Sequence, residues 1–372
     1  MPRQALSALF FCGVLAACGD TATNLTGNSD LSDDLVDFPG LNANALLAGP
    51  GGNEQGRWTY GVERPLLSIQ RQDNGICILD NGLVSVIDMR NDIDEVWEAT
   101  SGSGLANTID DHAFPAFSFP CGDEPFNEQR KIEDEYGVWT YSTLNDAMHY
   151  GNVVYQMFYR HLGEPPLKGK IRLRVHYGNR SSQAAYWDGG YANFGDAYPF
   201  YYSMASLDLI AHEIAHGVLG RISRLKPFET ELSQDAKTLH EAFADISGVM
   251  AEYQNSGVID WVHGQGFYGR ARYLNKVKTE ASAISSYLEY GDAGDNYYLR
   301  IGLITYPFYL LSQQWGLSKS YAVYIEAAKN CWTADTTLLE AAACIQQSAI
   351  AMHLPKQAVV DAFATVDIDL NE

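Results

Sequence analysis

Positive charge is scarce in this chain. Its 25 lysines and arginines stand against 46 aspartates and glutamates, a formal net charge of −21 at pH 7. Such a surface repels phosphate backbones and argues against nucleic acid as a partner. Long hydrophobic runs are also missing. The apolar stretch from Ala5 to Ala17 is too short to cross a bilayer, so no transmembrane helix is expected. No internal repeat is evident, which sets aside a repeat architecture. Cysteines number only six: Cys12, Cys18, Cys77, Cys121, Cys331 and Cys344.

The N-terminus reads as a targeting segment. Arg3 is followed by the short apolar run, and the run ends in Leu15-Ala16-Ala17-Cys18, which looks like a bacterial lipobox. Residues 1–17 are then a lipoprotein signal peptide, and Cys18 becomes the acylated N-terminus that anchors the chain to a lipid bilayer. The expected destination is the bacterial cell envelope, at the outer membrane, or secretion if the cysteine is coincidental. Residues 18–46 are polar and acidic, with Asp20, Asp30, Asp33, Asp34 and Asp37, and suit a flexible tether. With Cys12 removed and Cys18 lipidated, four cysteines remain, an even number for an oxidising compartment, with three possible connectivities.

The most informative stretch is His212-Glu213-Ile214-Ala215-His216. Two histidines four residues apart project from one helical face and can share a metal ion. The glutamate beside the first lies where it can act as general base on a metal-activated water. Leu207, Ile210, Ala211, Ile214 and Val218 recur at helical spacing and predict the buried side of that helix. A second helix is predicted from about Asp235 to Tyr253. It carries Glu241, Asp245, Gly248 and Glu252 on one stripe, while the first helix carries Asp208, His212 and His216. Laid antiparallel, the stripes match: His216 meets Glu241, His212 meets Asp245, and Asp208 meets Glu252. Gly248 lets the helices approach. Glu241 then completes a His₂Glu zinc set with a fourth position open, and Asp245 holds a ligand histidine in the correct tautomer.

With these motifs the chain resembles the thermolysin family of bacterial zinc peptidases, in particular its pseudolysin and vibriolysin branch. The resemblance is carried by Ser206 through Gly217 and by Glu241 through Ile246. It is also carried by Gly49–Asn53, Trp58–Gly61, Leu144–Ala147, Val175–Gly178, Tyr186–Gly189, Phe194–Asp196 and Phe308–Leu311. It runs from about residue 47 to the C-terminus. It implies an α+β, two-lobed zincin. Residues 47–221 form a mixed, β-rich N-terminal lobe that includes the zinc helix, and residues 222–372 form a mainly helical C-terminal lobe. The length after the tether suits two lobes around a cleft. Ile171 to Tyr177 alternates as a half-buried strand; Leu144 to Phe158, Tyr306 to Gln314 and Lys319 to Ala328 read as helices.

The resemblance implies a zinc-dependent endopeptidase acting on peptides or proteins, and a monomer is expected. It pairs Cys77 with Cys121. The position of Cys344 pairs in that branch with a later cysteine, which this chain lacks, and Cys331 is the available substitute. It implies one calcium ion, held by Asp208, Glu252 and Asp260 with the carbonyl of Val262 and further ligands such as Gln265. Arg272 matches the family's substrate-binding arginine. The 28 residues between Cys18 and Leu47 are too few for the usual folded pro-domain. Three departures stand out. Ala184 replaces an asparagine that contacts substrate. Pro227 and Phe228 occupy the region where the family has a tyrosine donor, in a longer connection. Tyr298, beside Tyr297, falls where the family has a histidine; two readings stand, a phenol that supplies the oxyanion donor at neutral pH and a simply packed aromatic. The competing reading is a zinc-binding surface module with little or no catalysis; Glu213 argues for the enzyme, because a metal scaffold needs no base there.

Overall fold

The computed structural model describes residues 46–47, 67–95, 112–122, 132–134, 137–140, 142–198, 203–225, 232–264 and 271–371. The signal peptide, Cys18, almost all of the tether, the Gly49–Asn53 and Trp58–Gly61 motifs, Pro227, Phe228 and Gln265 lie outside the described residues. Among the described residues no helix is long and apolar enough to cross a membrane.

A four-stranded mixed sheet underlies the site. Strands β1 (Val84–Asp92), β2 (Ile171–Tyr177), β3 (Ala185–Trp187) and β4 (Ala192–Phe194) lie in the order β3-β4-β2-β1. β1 and β2 run parallel with Val86 opposite Leu173, β4 runs parallel to β2, and β3 returns antiparallel with Tyr186 opposite Asn193. β3 is therefore an edge strand. Helix α1 (Thr143–Leu162) packs on the sheet. Ser142 caps its start by accepting from the Asn145 amide, and Gly163, at φ 72°, closes its end. Gly151 makes the closest approach: a Cβ there would come within 2.7 Å of Val84 Cγ1.

The half-buried reading of Ile171–Tyr177 needs correction. Only Arg172 among its seven residues is partly exposed. The polar alternates Arg174 and His176 are buried as well, because Phe114, Tyr191, Asp94 and Asp196 lie against them. Arg174 stacks 3.4 Å from the Tyr191 ring centre and donates to Asp94 at 2.7 Å, while His176 pairs with Asp196 at 2.6 Å. Polar spacing marked the face, but paired polar groups can be buried on it.

Two long helices follow the sheet. Helix α2 (Leu207–Ile222) presents the apolar residues expected of it to the core. Helix α3 (Gln234–Ser256) is capped by Ser233, which accepts from the Ala236 amide, and ends at Gly257 with φ 69°. Beyond them, helices α4 (Gly302–Trp315), α5 (Leu317–Asn330), α6 (Leu338–Ala351) and α7 (Lys356–Ala364) form the helical C-terminal part. Thr337 and Glu340 build a capping box at the start of α6. One apolar cluster runs from Val84 and Leu173 in the sheet through Ile210, Phe243 and Phe308 to Phe363. The expected α+β arrangement, β-containing first and helical second, is the one observed. Both expected disulfides form, Cys77–Cys121 with Cα atoms 5.2 Å apart and Cys331–Cys344 with 6.1 Å.

Candidate metal centre

The facing stripes of α2 and α3 set the geometry. His216 Nε2 lies 3.8 Å from Glu241 Oε1, and His212 Nε2 lies 3.3 Å from Glu241 Oε2. One level further, His212 Nδ1 meets Asp245 Oδ1 at 3.0 Å. The expected partners at these two levels are adjacent. At the third level, expected to bring Asp208 to Glu252, it is Gly248 that packs on Asp208: a Cβ there would lie 3.1 Å from the Asp208 carbonyl oxygen and 3.1 Å from His263 Nδ1. The glycine therefore does allow the close approach read from the sequence.

The donor set fits a divalent cation. His212, His216 and Glu241 each offer a ligand atom within 4.8 Å of the others, and all three side chains are buried. Because His212 Nδ1 is directed at Asp245, its Nε2 is left with a lone pair facing a carboxylate oxygen. Glu241 Oε2 accepts no hydrogen bond among the described residues. Two electron-rich atoms 3.3 Å apart in a buried place call for a cation between them.

The electrostatics say the same. Burial alone would lower the His212 pKa, but Asp245 and Glu241 raise it to about 10, so without metal a proton takes the cation's place. Burial would raise Glu241, yet His212 and the neighbouring charges bring it down to about 2. His216, buried, is lowered to about 3 and stays neutral. Asp245 overcomes its burial through Arg272 and the neighbouring histidines and is held far below the ordinary carboxylate range.

Glu213 stands beside the donors without joining them. Burial raises its pKa to about 7, opposed by the charge of His212 and by a hydrogen bond from the Trp187 amide. Gly217, one turn on, presses against the same tryptophan: a Cβ there would be 2.8 Å from Trp187 Cζ2. Helix α2 is thus seated directly on edge strand β3. Ala184, just before that strand, accepts the Gly195 amide at 2.9 Å through its carbonyl.

Arg272 comes from a short hairpin of β5 (Val262–His263) and β6 (Arg272–Tyr273). It donates twice to Asp245, from Nε to Oδ2 at 2.7 Å and from Nη2 to Oδ1 at 2.5 Å. The Tyr298 hydroxyl lies 3.5 Å from Glu241 Oε1, and Arg272 sits 5.5 Å from its ring centre. Tyr298 therefore stands at the edge of the donor set, and burial and the Glu241 charge push its pKa well up.

Of the acids expected to hold calcium, Asp208 and Glu252 are buried. Asp208 Oδ2 accepts the Gly264 amide at 2.8 Å, and Asp260 Oδ1 accepts the Val262 amide at 2.8 Å. Among the described residues Asp208, Glu252 and Asp260 do not form a group of three with ligand atoms within 4.8 Å.

Sequence reasoning missed two histidines. His240, fully buried, lies with its ring centre 5.6 Å from that of His216. It directly precedes Glu241 and falls off the stripe, so spacing gave no sign of it. His263 lies against His212, Asp208 and Asp245. It sits in a two-residue strand, which has no readable period. With His212 and Asp245 it makes a second metal-competent trio. Arg272 already occupies the Asp245 oxygen involved, so a second cation would meet a fixed positive charge there.

The family description "Thermolysin metallopeptidase, catalytic domain" matches residues 53–220, and "Thermolysin metallopeptidase, alpha-helical domain" matches residues 230–368. The neutral protease of Vibrio proteolyticus is 31% identical over 343 residues, covering 90% of this chain and 51% of that protein. The hemagglutinin/proteinase of Vibrio cholerae is 29% identical over 351 residues, covering 92% of this chain and 52% of that protein. This chain thus spans about half the length of these relatives. Among solved structures, the precursor of protealysin, a metalloproteinase from Serratia proteamaculans, shares the fold. Its TM-score is 0.60 at 18% identity, over 78% of this chain and 89% of that one.

Proposed function

This chain belongs to the thermolysin metallopeptidase family, whose two domains it carries in order, and we propose that it is a zinc-dependent endopeptidase of peptide or protein substrates. The observation that carries the reading is the convergence of His212, His216 and Glu241 with Glu213 beside them. A scaffold that merely bound metal would have no use for a buried glutamate with a pKa near neutrality at that point.

His212, His216 and Glu241 would hold the zinc, which would supply Lewis acidity toward water and toward the scissile carbonyl. Glu213 takes the proton from the attacking water and passes it to the departing amine. The Trp187 amide keeps the Glu213 carboxylate turned toward the strand along which an extended substrate would pair. Asp245 fixes the His212 tautomer, and Arg272 fixes Asp245 while offering its outer edge to a substrate carbonyl. Tyr298 donates its hydroxyl to negative charge that develops beside Glu241.

The same reading gives one calcium to Asp208, Glu252 and Asp260, and an acylated Cys18 as anchor in a bacterial envelope. A calcium-dependent rise in melting temperature tests the first. Mass spectrometry of the membrane fraction tests the second, which falls if the mature protein starts elsewhere with an unmodified residue. The activity is tested by incubating purified, zinc-loaded protein with a peptide library beside Glu213→Ala. Cleavage that depends on Glu213 and about one zinc per chain are expected. No cleavage above the Glu213→Ala background would overturn the assignment in favour of a non-catalytic zinc module.

A further inference from the structure

His263 is buried to 2% exposure in a place where an apolar side chain would have filled the space at less cost. Its ring lies almost parallel to that of His212, with centres 4.7 Å apart and an interplanar angle of 23°. The His216 ring meets His212 edge-on at 4.9 Å and 86°. The hydrogen bond to Asp245 pins one atom of the His212 ring, Nδ1. One such contact leaves the ring able to tilt about the Nδ1···Oδ1 line, and tilt swings Nε2 away from Glu241. The flat face of His263 removes that freedom.

Three features hold His263 in turn. Its Nε2 is 3.4 Å from Asp245 Oδ1 and its Nδ1 is 3.7 Å from Asp208 Oδ2, contacts longer than hydrogen bonds that bracket the ring between two carboxylates. Gly248 leaves the slot that the ring occupies, since a Cβ there would lie 3.1 Å from His263 Nδ1. In the hairpin His263 pairs directly opposite Arg272, so the two side chains share a face and both reach Asp245.

We propose that His263 is a positioning residue of the metal centre: its ring is the shelf that sets the plane of His212 and the direction of His212 Nε2 toward Glu241. It also ties the Arg272 hairpin to the zinc helix, so that both move as one body. This rests on the zinc assignment made above for His212, His216 and Glu241.

The test compares the parent protein with His263→Ala and His263→Phe, each measured metal-free, zinc-loaded and cobalt-loaded. His263→Ala should bind zinc about 10- to 100-fold more weakly, in the range found when groups that orient metal ligands are removed. Its cobalt absorption bands should shift, and kcat should fall while KM holds. His263→Phe keeps a flat ring and should recover the cobalt spectrum and most of the zinc affinity. A residue with only a structural role would lower the melting temperature of the metal-free protein and leave the cobalt spectrum alone. His263→Ala with the parent's zinc affinity and cobalt bands, or His263→Phe no better than His263→Ala, would overturn the proposal. If His263→Ala does not fold, His263→Leu replaces it, filling the slot without offering a ring face. A parent that takes up no zinc brings down the zinc assignment first, and this proposal with it. A parent that binds zinc indifferently to residue 263 brings down this proposal alone.

Discussion

Arg272 grips Asp245 with two nitrogens, Nε on one carboxylate oxygen at 2.7 Å and Nη2 on the other at 2.5 Å. The arginine that the family resemblance assigns to substrate is thus committed along one edge to the carboxylate that orients His212. On the proposed function, binding of substrate and orientation of the metal ligand would pass through the same guanidinium.

Arg272→Lys should therefore be far from conservative. Lysine keeps the charge but cannot span both oxygens of Asp245. We expect kcat/KM to fall about 10- to 100-fold and zinc to be lost faster to a chelator. A change in KM alone, with zinc retention unaltered, would show that Arg272 serves substrate only.

Zinc binding should release a proton. Without metal at neutral pH, His212 is charged, with its pKa raised to about 10, while His216 at about 3 is neutral and Glu241 at about 2 is ionised. Only His212 must give up a proton to bind through Nε2. Calorimetry near pH 7.5 in buffers of different ionisation enthalpy should show about one proton released per zinc, and affinity should weaken as the pH falls. Zinc uptake without proton release would contradict this ionisation pattern.

Glu213 predicts the acid limb of the rate profile. Burial holds its pKa near 7 without metal, and only the ionised form can accept a proton from water, so activity rises with pH as this carboxyl ionises. A bound cation nearby favours the ionised form, which places the limb below 7 in the loaded enzyme. Glu213→Gln should bind zinc normally and show no turnover.

Tyr298→Phe removes a hydroxyl 3.5 Å from Glu241 Oε1 and nothing else. If that group meets charge that grows in the transition state, kcat falls more than KM rises. Equal rates would return Tyr298 to a packed aromatic.

Gly248→Ala should destabilise the protein although alanine is the better helix former by about 1 kcal/mol. The added Cβ would crowd the Asp208 carbonyl oxygen and the His263 ring, each at 3.1 Å. We expect a net loss of about 1–3 kcal/mol in denaturant unfolding of the metal-free protein. A gain in stability would mean that the helices separate easily at this point.

Much of this was legible from spacing. The stripes Asp208, His212, His216 and Glu241, Asp245, Gly248 lie on long helices, where a period of 3.6 residues fixes which side chains share a face. Their pairing across the interface followed at the His216–Glu241 and His212–Asp245 levels. Arg174 and His176 were misplaced because alternation records polarity, and polarity stands for exposure only when no partner such as Asp94 or Asp196 waits inside. His263 was invisible for a different reason. Its role depends on a two-residue strand being paired opposite Arg272, a contact between segments that no local period encodes.

The hydrogen bond from the Trp187 amide to Glu213 has a consequence for specificity. Trp187 ends the edge strand, so Glu213 is fixed to the very strand along which, on the proposed function, a substrate would be aligned. A peptide pairing there is indexed in steps of one residue, and each step turns every side chain to the opposite face. The bond brought up to Glu213 is then chosen by counting along a backbone ruler whose zero mark is Trp187. On this reading, altered cleavage positions would arise from changes that slide the ruler, at Ala184 or Ala185, more readily than from changes at the metal.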